Sequence, residues 1–529
     1  MSQVWNSMQT FMNKITDTVI QSMNYSSETY GKNVTTAIFI LAGPFIYAAY
    51  KLLSMLMNHR RHRKVYIRDF QVFQADPSWY CSNTHTLKQC LNTGCFGASQ
   101  MNFMRKLSKR NGVGPKVSVP PELFSSKREI EDARGEARAV IFPTVKKLLE
   151  KTGISSNQID VIVTNCSLFS PTPSLSSMVV NEFKMKKDIH SFSLGGQGCS
   201  ASPIGADIIQ AFLQNKNMKY ALLISTESIM QNFYLGQDNS MLLPNTLFRA
   251  GCSVVLFTNV NYKCKYEVKQ IVRTHIGADT GAHKCIYSTI DKDGKPGVNL
   301  EKSIIANAGK ALTNNATRVF AKALPLHLKI DYILQIIIKR IVWRFQTKVR
   351  KIQTTYPKPA APKINKAIDH FCFHTGGRGV LDSMQEQFEL ADSQIAASRA
   401  SLYRYGNTSS ASIWYELAYH ESVRSVNKGN KVWQVAFGSG FKCNSLVLKA
   451  LRNIRHDRNI FDESEPEYSL DLSVFKKDLV DEEEMKINYE EVIAAQEKKR
   501  QEEEWELVKT KYMDKMVAEI SAKQVCEIK

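Results

Sequence analysis

Short apolar runs bounded by turn residues alternate with helical patterns over residues 120–260, and the alternation resumes over 265–450. Runs at Val161–Thr164, Ile189–Leu194, Ala221–Ser225 and Cys252–Thr258 read as strands, with helices at Ile141–Lys151, Ser174–Lys184 and Pro203–Gln214. In the second block, strands fall at Tyr266–Thr274, His370–His374 and Val432–Gly438, and helices at Gly379–Phe388 and Ala411–Val423. This pattern restricts the chain to α/β architecture, because strands without an exposed polar face need helices to cover them. At 529 residues there is also room for appendages around the two comparable blocks.

The appendages differ in chemistry. Val4, Met8, Phe11, Ile15 and Val19 have the spacing of an amphipathic helix. The uncharged run Val34–Tyr50 continues past Lys51 to Met57, long enough to span a bilayer, and His59-Arg-Arg-His-Arg-Lys64 follows it. A basic flank on that side predicts a retained anchor with the rest of the chain in the cytosol. The sequon Asn24-Tyr25-Ser26 would then be lumenal. Leu324–Lys351, cationic with Trp343, suits a membrane interface and equally an ordinary core helix. Beyond Arg452 the chain turns highly charged, with Trp505, Val508, Tyr512, Met516 and Ile520 at helical spacing.

The formal charge of +20 admits nucleic acid, anionic membrane or phosphate-bearing substrates. No zinc finger or RNA-binding aromatic signature is present, which sets nucleic acid aside. Eleven cysteines without a CxxC pair do not form a disulfide framework or a structural zinc site, and no metal is expected.

One cysteine stands apart. In Leu194-Gly-Gly-Gln-Gly-Cys199-Ser-Ala, a strand runs into a glycine turn and Cys199 opens a helix. Unpaired N–H groups at a helix start favour a thiolate, so its pKa is expected below about 8.5. His374, at a strand end before the double glycine Gly376-Gly377, and Asn407, in a turn ahead of a helix, are candidate partners. The loop Gly438-Ser439-Gly440 could approach a substrate with its backbone amides.

At these residues the chain resembles the plant-type 3-ketoacyl-CoA synthases. The resemblance covers roughly 65–450 and rests on Asn165–Ser176, Leu194–Ala201, Asn245–Gly251, His370–Gly377, Tyr405–Trp414 and Phe437–Ser445. It implies a thiolase-like fold of two similar halves in a layered αβαβα sandwich, residues 65–264 and 265–451, between an N-terminal anchor region (1–64) and a charged helical tail (452–529). It further implies Cys199 as acyl-accepting nucleophile, with His374 and Asn407 completing a triad and His275 and His370 as supporting histidines. The family usually has histidine where this chain has Tyr403, and commonly two N-terminal spans where one is evident here.

The reaction so implied is a decarboxylative condensation of malonyl-CoA with a long-chain acyl-CoA, without a cofactor. The expected setting is the endoplasmic reticulum membrane, in contact with lipid, as a homodimer and alongside other elongase enzymes. The alternatives are a type III polyketide synthase-like enzyme and an inactive membrane scaffold on the same fold.

Overall fold

The structure, a computed structural model, describes residues 63–120, 129–324, 367–455 and 487–527 continuously, with isolated residues between these stretches. The expected anchor, the N-terminal amphipathic helix and the sequon lie outside the described residues. Among the described residues no helix is long and apolar enough to cross a membrane.

Among the described residues, nine strands form one mixed sheet. They are β1 (Tyr66–Val72), β2 (Val161–Asn165), β3 (His190–Leu194), β4 (Tyr220–Glu227), β5 (Gly251–Thr258), β6 (Tyr266–His275), and, after the hairpin β7 (Ile286–Ile290)–β8 (Pro296–Leu300), β9 (His370–Phe373), β10 (Lys431–Gly438) and β11 (Lys442–Ala450). The order is β9-β10-β11-β6-β1-β5-β4-β2-β3. From the middle outwards one pattern occurs twice. β1 pairs antiparallel with β5, β5 antiparallel with β4, and β4 parallel with β2. Likewise β6 pairs antiparallel with β11, β11 antiparallel with β10, and β10 parallel with β9. Where the two series meet, only Tyr66 and Ile67 pair with Glu267 and Tyr266.

Strands β4 and β5 are buried along almost their whole length, which is why they read as continuous apolar runs. Helices cover them: α2 (Ile130–Thr152) lies on β5 and β1, and α4 (Ile304–Ala323) on β11 and β6. Two helices are buried more deeply. α3 (Ala201–Phe212) packs on β2 and β4, and α6 (Ser412–Tyr419) on β9, β10 and β1. Trp414 Nε1 of α6 donates to Ser202 Oγ of α3 at 2.7 Å. Gly205 lets α3 settle onto the sheet, since a Cβ there would overlap Leu223.

A charged cluster closes the seam between the two strand series. Lys265 Nζ, fully buried, lies 3.1 Å from Asp69 Oδ1 and 2.8 Å from Glu421 Oε2, and Tyr266 Oη donates to Glu421 Oε1 at 2.8 Å. Each charge is paired, the condition under which burial is tolerable.

The charged tail is helical, α7 (Tyr489–Glu527). It starts against α1 (Ala98–Arg110), where Arg105 donates to the Ile487 carbonyl at 3.1 Å and its guanidinium sits 5.1 Å from the Tyr489 ring centroid. Trp505, Val508 and Tyr512 are exposed. Most of the 324–351 insertion is outside the described residues. Within it Ile330, Leu334, Ile338 and Val342 are helical and exposed, four residues apart.

Candidate active site

Cys199 lies in a single 3-10 turn, Gly198–Ser200, that feeds α3. Gly196 and Gly198 both have φ +65°, the left-handed backbone this reversal requires. Gly198 N donates to Ser167 Oγ at 2.8 Å. A Cβ on Gly198 would overlap Ser439 N and stand 2.9 Å from Gly438 Cα, while one on Gly438 would overlap Ser200 Oγ. The cysteine turn and the Gly438–Gly440 loop are therefore packed back to back, without room for a side chain between them.

His374 directly follows β9, its N–H bonded to Val435 O at 2.9 Å. Asn407 directly follows α5 (Asp392–Tyr405) by way of Gly406, and its backbone is held on both sides: its N–H by Leu247 O and its C=O by Arg249 N, each at 2.9 Å. All three residues converge on one that sequence reasoning passed over, Ser409. Its N–H donates to Asn407 Oδ1 at 2.8 Å. Its backbone is hydrogen-bonded to the His374 ring, and its side chain to the Cys199 thiol. Its Oγ donates to Glu227 Oε2 at 2.8 Å. Ser409 sits at φ +55°, an uncommon conformation for serine that its bonds to Asn407 and Glu227, and the Ser412 Oγ donation to its carbonyl at 2.7 Å, hold in place.

Glu227 ends β4 and is also a residue the sequence reading missed. Its Oε1 accepts from Leu168 N at 2.8 Å, Ser167 N at 3.0 Å and Cys166 Sγ at 3.1 Å. The only sequence signal is an acid closing an apolar strand, which equally marks a strand end. Ser409 lies inside the quoted string Tyr405–Trp414, but nothing in the string separates it from Ser410 or Ser412.

Cys199, Glu227, Ser409, Gly438, Ser439 and Gly440 line one cavity of about 480 Å³. Its wall is mostly apolar, with Leu123, Ile229, Phe233, Phe248, Val298 and Leu300 among the contributors. His275 also faces it, from the end of β6, with Nδ1 accepting from Gly277 N at 3.0 Å. Neither His374 nor Asn407 lines it, and nor does His370. His370 starts β9, and at about 3.3 Å per residue a strand places it roughly 13 Å from His374. There its Nε2 pairs with Asn430 Oδ1 at 3.2 Å and its ring lies 4.6 Å from that of His420. A supporting role at the thiol is thus not what its position offers.

The electrostatics depart from expectation. Burial pushes the Cys199 thiol up to about 12; its hydrogen bond with Ser409 opposes this, and the Glu227 carboxyl adds to it. The expected depressed thiol pKa is therefore corrected. A single turn ahead of α3 supplies weak partial charge, and the Glu227 carboxyl lies nearby. Burial likewise lowers His374 to about 4, against the opposing bond to Ser409, and its Nδ1 has no partner. Both shifts favour the uncharged forms, a neutral thiol and a neutral imidazole. Such a pair attacks a carbonyl by handing the sulfur's proton to the ring as the S–C bond forms.

Residues 57–341 match the family model described as FAE1/Type III polyketide synthase-like protein, and residues 361–450 match 3-Oxoacyl-[acyl-carrier-protein (ACP)] synthase III C terminal. The chain is 41% identical over 411 residues to 3-ketoacyl-CoA synthase 17 of Arabidopsis thaliana, covering 77% of this chain and 82% of that one. It is 40% identical over 404 residues to 3-ketoacyl-CoA synthase 4 of the same plant, covering 75% and 76%. Among solved structures, the C-terminal type III polyketide synthase domain of 'Steely1' from Dictyostelium aligns with TM-score 0.57 at 16% identity, over 73% of this chain and 99% of that one. A bacterial type III polyketide synthase, 1,3,6,8-tetrahydroxynaphthalene synthase from Streptomyces coelicolor, gives TM-score 0.54 at 16% identity, over 73% and 99%. At that identity the likeness speaks for the fold, a mixed α/β thiolase-like one.

Proposed function

Since the chain belongs to the 3-ketoacyl-CoA synthase family of condensing enzymes, we propose that Cys199, His374 and Asn407 carry the condensation that lengthens a very-long-chain acyl-CoA by two carbons. The Cys199 sulfur adds to the acyl-CoA carbonyl, its proton passes to His374, and CoA leaves with that proton as the free thiol. Malonyl-CoA enters next. Loss of carbon dioxide leaves electron density on its thioester oxygen, where the Asn407 NH₂ and the His374 ring act as donors. The carbonyl side of the Asn407 amide is occupied by Ser409 N–H, which leaves its NH₂ for this task. The enolate carbon then attacks the acyl-cysteine. The tetrahedral oxygen is held between the Cys199 amide and the Gly438–Gly440 loop until the thiolate departs, giving a 3-ketoacyl-CoA.

The observation that supports this reading most is the arrangement of Cys199, His374 and Asn407 about Ser409, which together with Cys199 lines an apolar cavity. Apolar walls suit an alkyl chain. The test is acylation with labelled long-chain acyl-CoA followed by peptide mapping; label at a cysteine other than Cys199 would overturn the assignment. A polyketide synthase-like activity is separated from this one by the products formed with malonyl-CoA and a series of acyl-CoA primers. An inactive scaffold is separated by the absence of any turnover.

The reading includes an endoplasmic reticulum location with the catalytic body in the cytosol, homodimerisation and contact with other elongase enzymes. The exposed stripe Ile330, Leu334, Ile338 and Val342, beside Lys339, supports contact of that helix with a lipid surface.

A further inference from the structure

A positive group with no role in the condensation steps faces the cavity beside the Gly438–Gly440 loop. Lys442 opens β11, lines the cavity and is only 8% exposed. Its Nζ donates to Ser439 O at 2.6 Å, and no carboxylate pairs with it among the described residues. An ammonium has three donors, so two remain unassigned. Holding such a charge out of water without a counter-ion is costly, and burial together with Arg273 indeed lowers its pKa.

The surroundings supply further ring nitrogens, and the carboxylate that shares the cavity wall, Glu227, is occupied by Ser409, Cys166 and the Ser167 and Leu168 N–H groups. His275 and His283 both line the cavity. A Cβ built on Gly440 would stand 3.7 Å from Lys442 Nζ, 3.9 Å from His275 Cε1 and 3.9 Å from His283 Nδ1, so the three side chains ring one point at the loop tip. The nearby acids are committed elsewhere. Asp207 pairs with Arg273 at 3.1 Å, and Asp279 caps the turn holding His283 while facing Lys310 at 3.6 Å.

We propose that Lys442, His275 and His283 form an anion-binding subsite that holds a negatively charged group of the CoA thioester during condensation. Two groups of the substrate have this chemistry: the malonyl carboxylate and the phosphates of CoA. The subsite rests on the condensing reading above, but it is tested separately from it.

The experiment uses the full-length chain and the variants K442M, K442R and H283Q, each compared with wild type for melting temperature, kcat, and KM toward malonyl-CoA and the acyl-CoA primer. A charged hydrogen bond lost without replacement weakens binding about 10- to 100-fold. A KM rise of that order for malonyl-CoA alone in K442M, largely restored in K442R, supports the subsite and assigns it to the carboxylate. A rise for both substrates, with loss of inhibition by 3′,5′-ADP, supports it and assigns it to a phosphate. Unchanged KM values in both K442M and H283Q, or a fall in kcat alone, make Lys442 a brace for the Ser439 carbonyl and overturn the proposal. H283Q alters an exposed side chain, so the test survives if K442M fails to fold. Absence of wild-type acylation would instead refute the condensing chemistry itself.

Discussion

Replacing Glu136 by Gln should change how stability depends on pH. Glu136 is buried in α2, where it accepts hydrogen bonds from Ser228 Oγ, from Ile229 N at 3.0 Å and from Met230 N at 3.1 Å. It thereby fixes the turn that places Ile229 in the cavity wall. Burial raises its pKa from 4.5 to about 7, the hydrogen bonds opposing. Below pH 4.5 both folded and unfolded chains hold this proton. As pH rises toward 7 the unfolded chain releases it first, so stability falls, by about 3 kcal/mol in all. His374 acts in the opposite sense. Its folded pKa of about 4 lies below 6.5, so its contribution is present above pH 6.5 and is lost, by a similar amount, as pH falls to 4. The two slopes oppose each other, and wild-type stability should vary less between pH 4.5 and 7 than either group alone dictates. In E136Q one opposing slope is gone, so stability should climb with pH by about 3 kcal/mol more than in wild type over that range. Denaturant unfolding of both proteins at several pH values measures this. A wild-type-minus-variant difference that stays constant from pH 4.5 to 7 would refute the reasoning, since loss of the Met230 bond alone gives a pH-independent offset.

Gly198→Ala should lose acylation by at least about 100-fold, because a side chain there overlaps Ser439 and the backbone is left-handed; the acyl-enzyme yield reports it. Asn407→Ala should slow malonyl-CoA decarboxylation by about 10²–10³ while leaving Cys199 acylation intact, measured by release of labelled carbon dioxide. Glu227→Gln removes a charge that raises the Cys199 pKa, so the pH profile of thiol alkylation should move to lower pH; a shift upward would contradict the assignment. Val298→Phe narrows the cavity wall and should favour shorter acyl primers, read from the product distribution.

The parts of this structure legible in sequence are those set by local chemistry. β4 and β5 announce themselves because almost every residue is buried. The turn at Cys199 is legible because glycine takes φ +65° at 196 and 198 without the strain a side chain brings. β1 escaped notice because Arg68 and Asp69 interrupt its apolar pattern, and Asp69 becomes acceptable inside the fold only by pairing with Lys265, almost two hundred residues away. The strand β11 and helix α5 were missed too, since small and polar residues such as Asn444, Ser445, Ser398 and Ser401 are buried there in place of aliphatic ones. The same distance limit applies at the site. Cys199, His374 and Asn407 could be picked out from their turns, but the thiol's pKa depends on Glu227 and on tertiary burial, which a local string does not contain. Ser409 and Lys442 were likewise visible as letters without a function until their neighbours were known.

Ser409 reaches both strand series at once, bonded to Glu227 of the first and to Asn407 and His374 of the second. No contiguous segment therefore possesses the reactivity. A peptide carrying the cysteine turn, or a protein truncated before β9, would keep the sulfur and lose what tunes it. The site is complete only where the two series meet, so its reactivity belongs to the folded chain and to neither half alone.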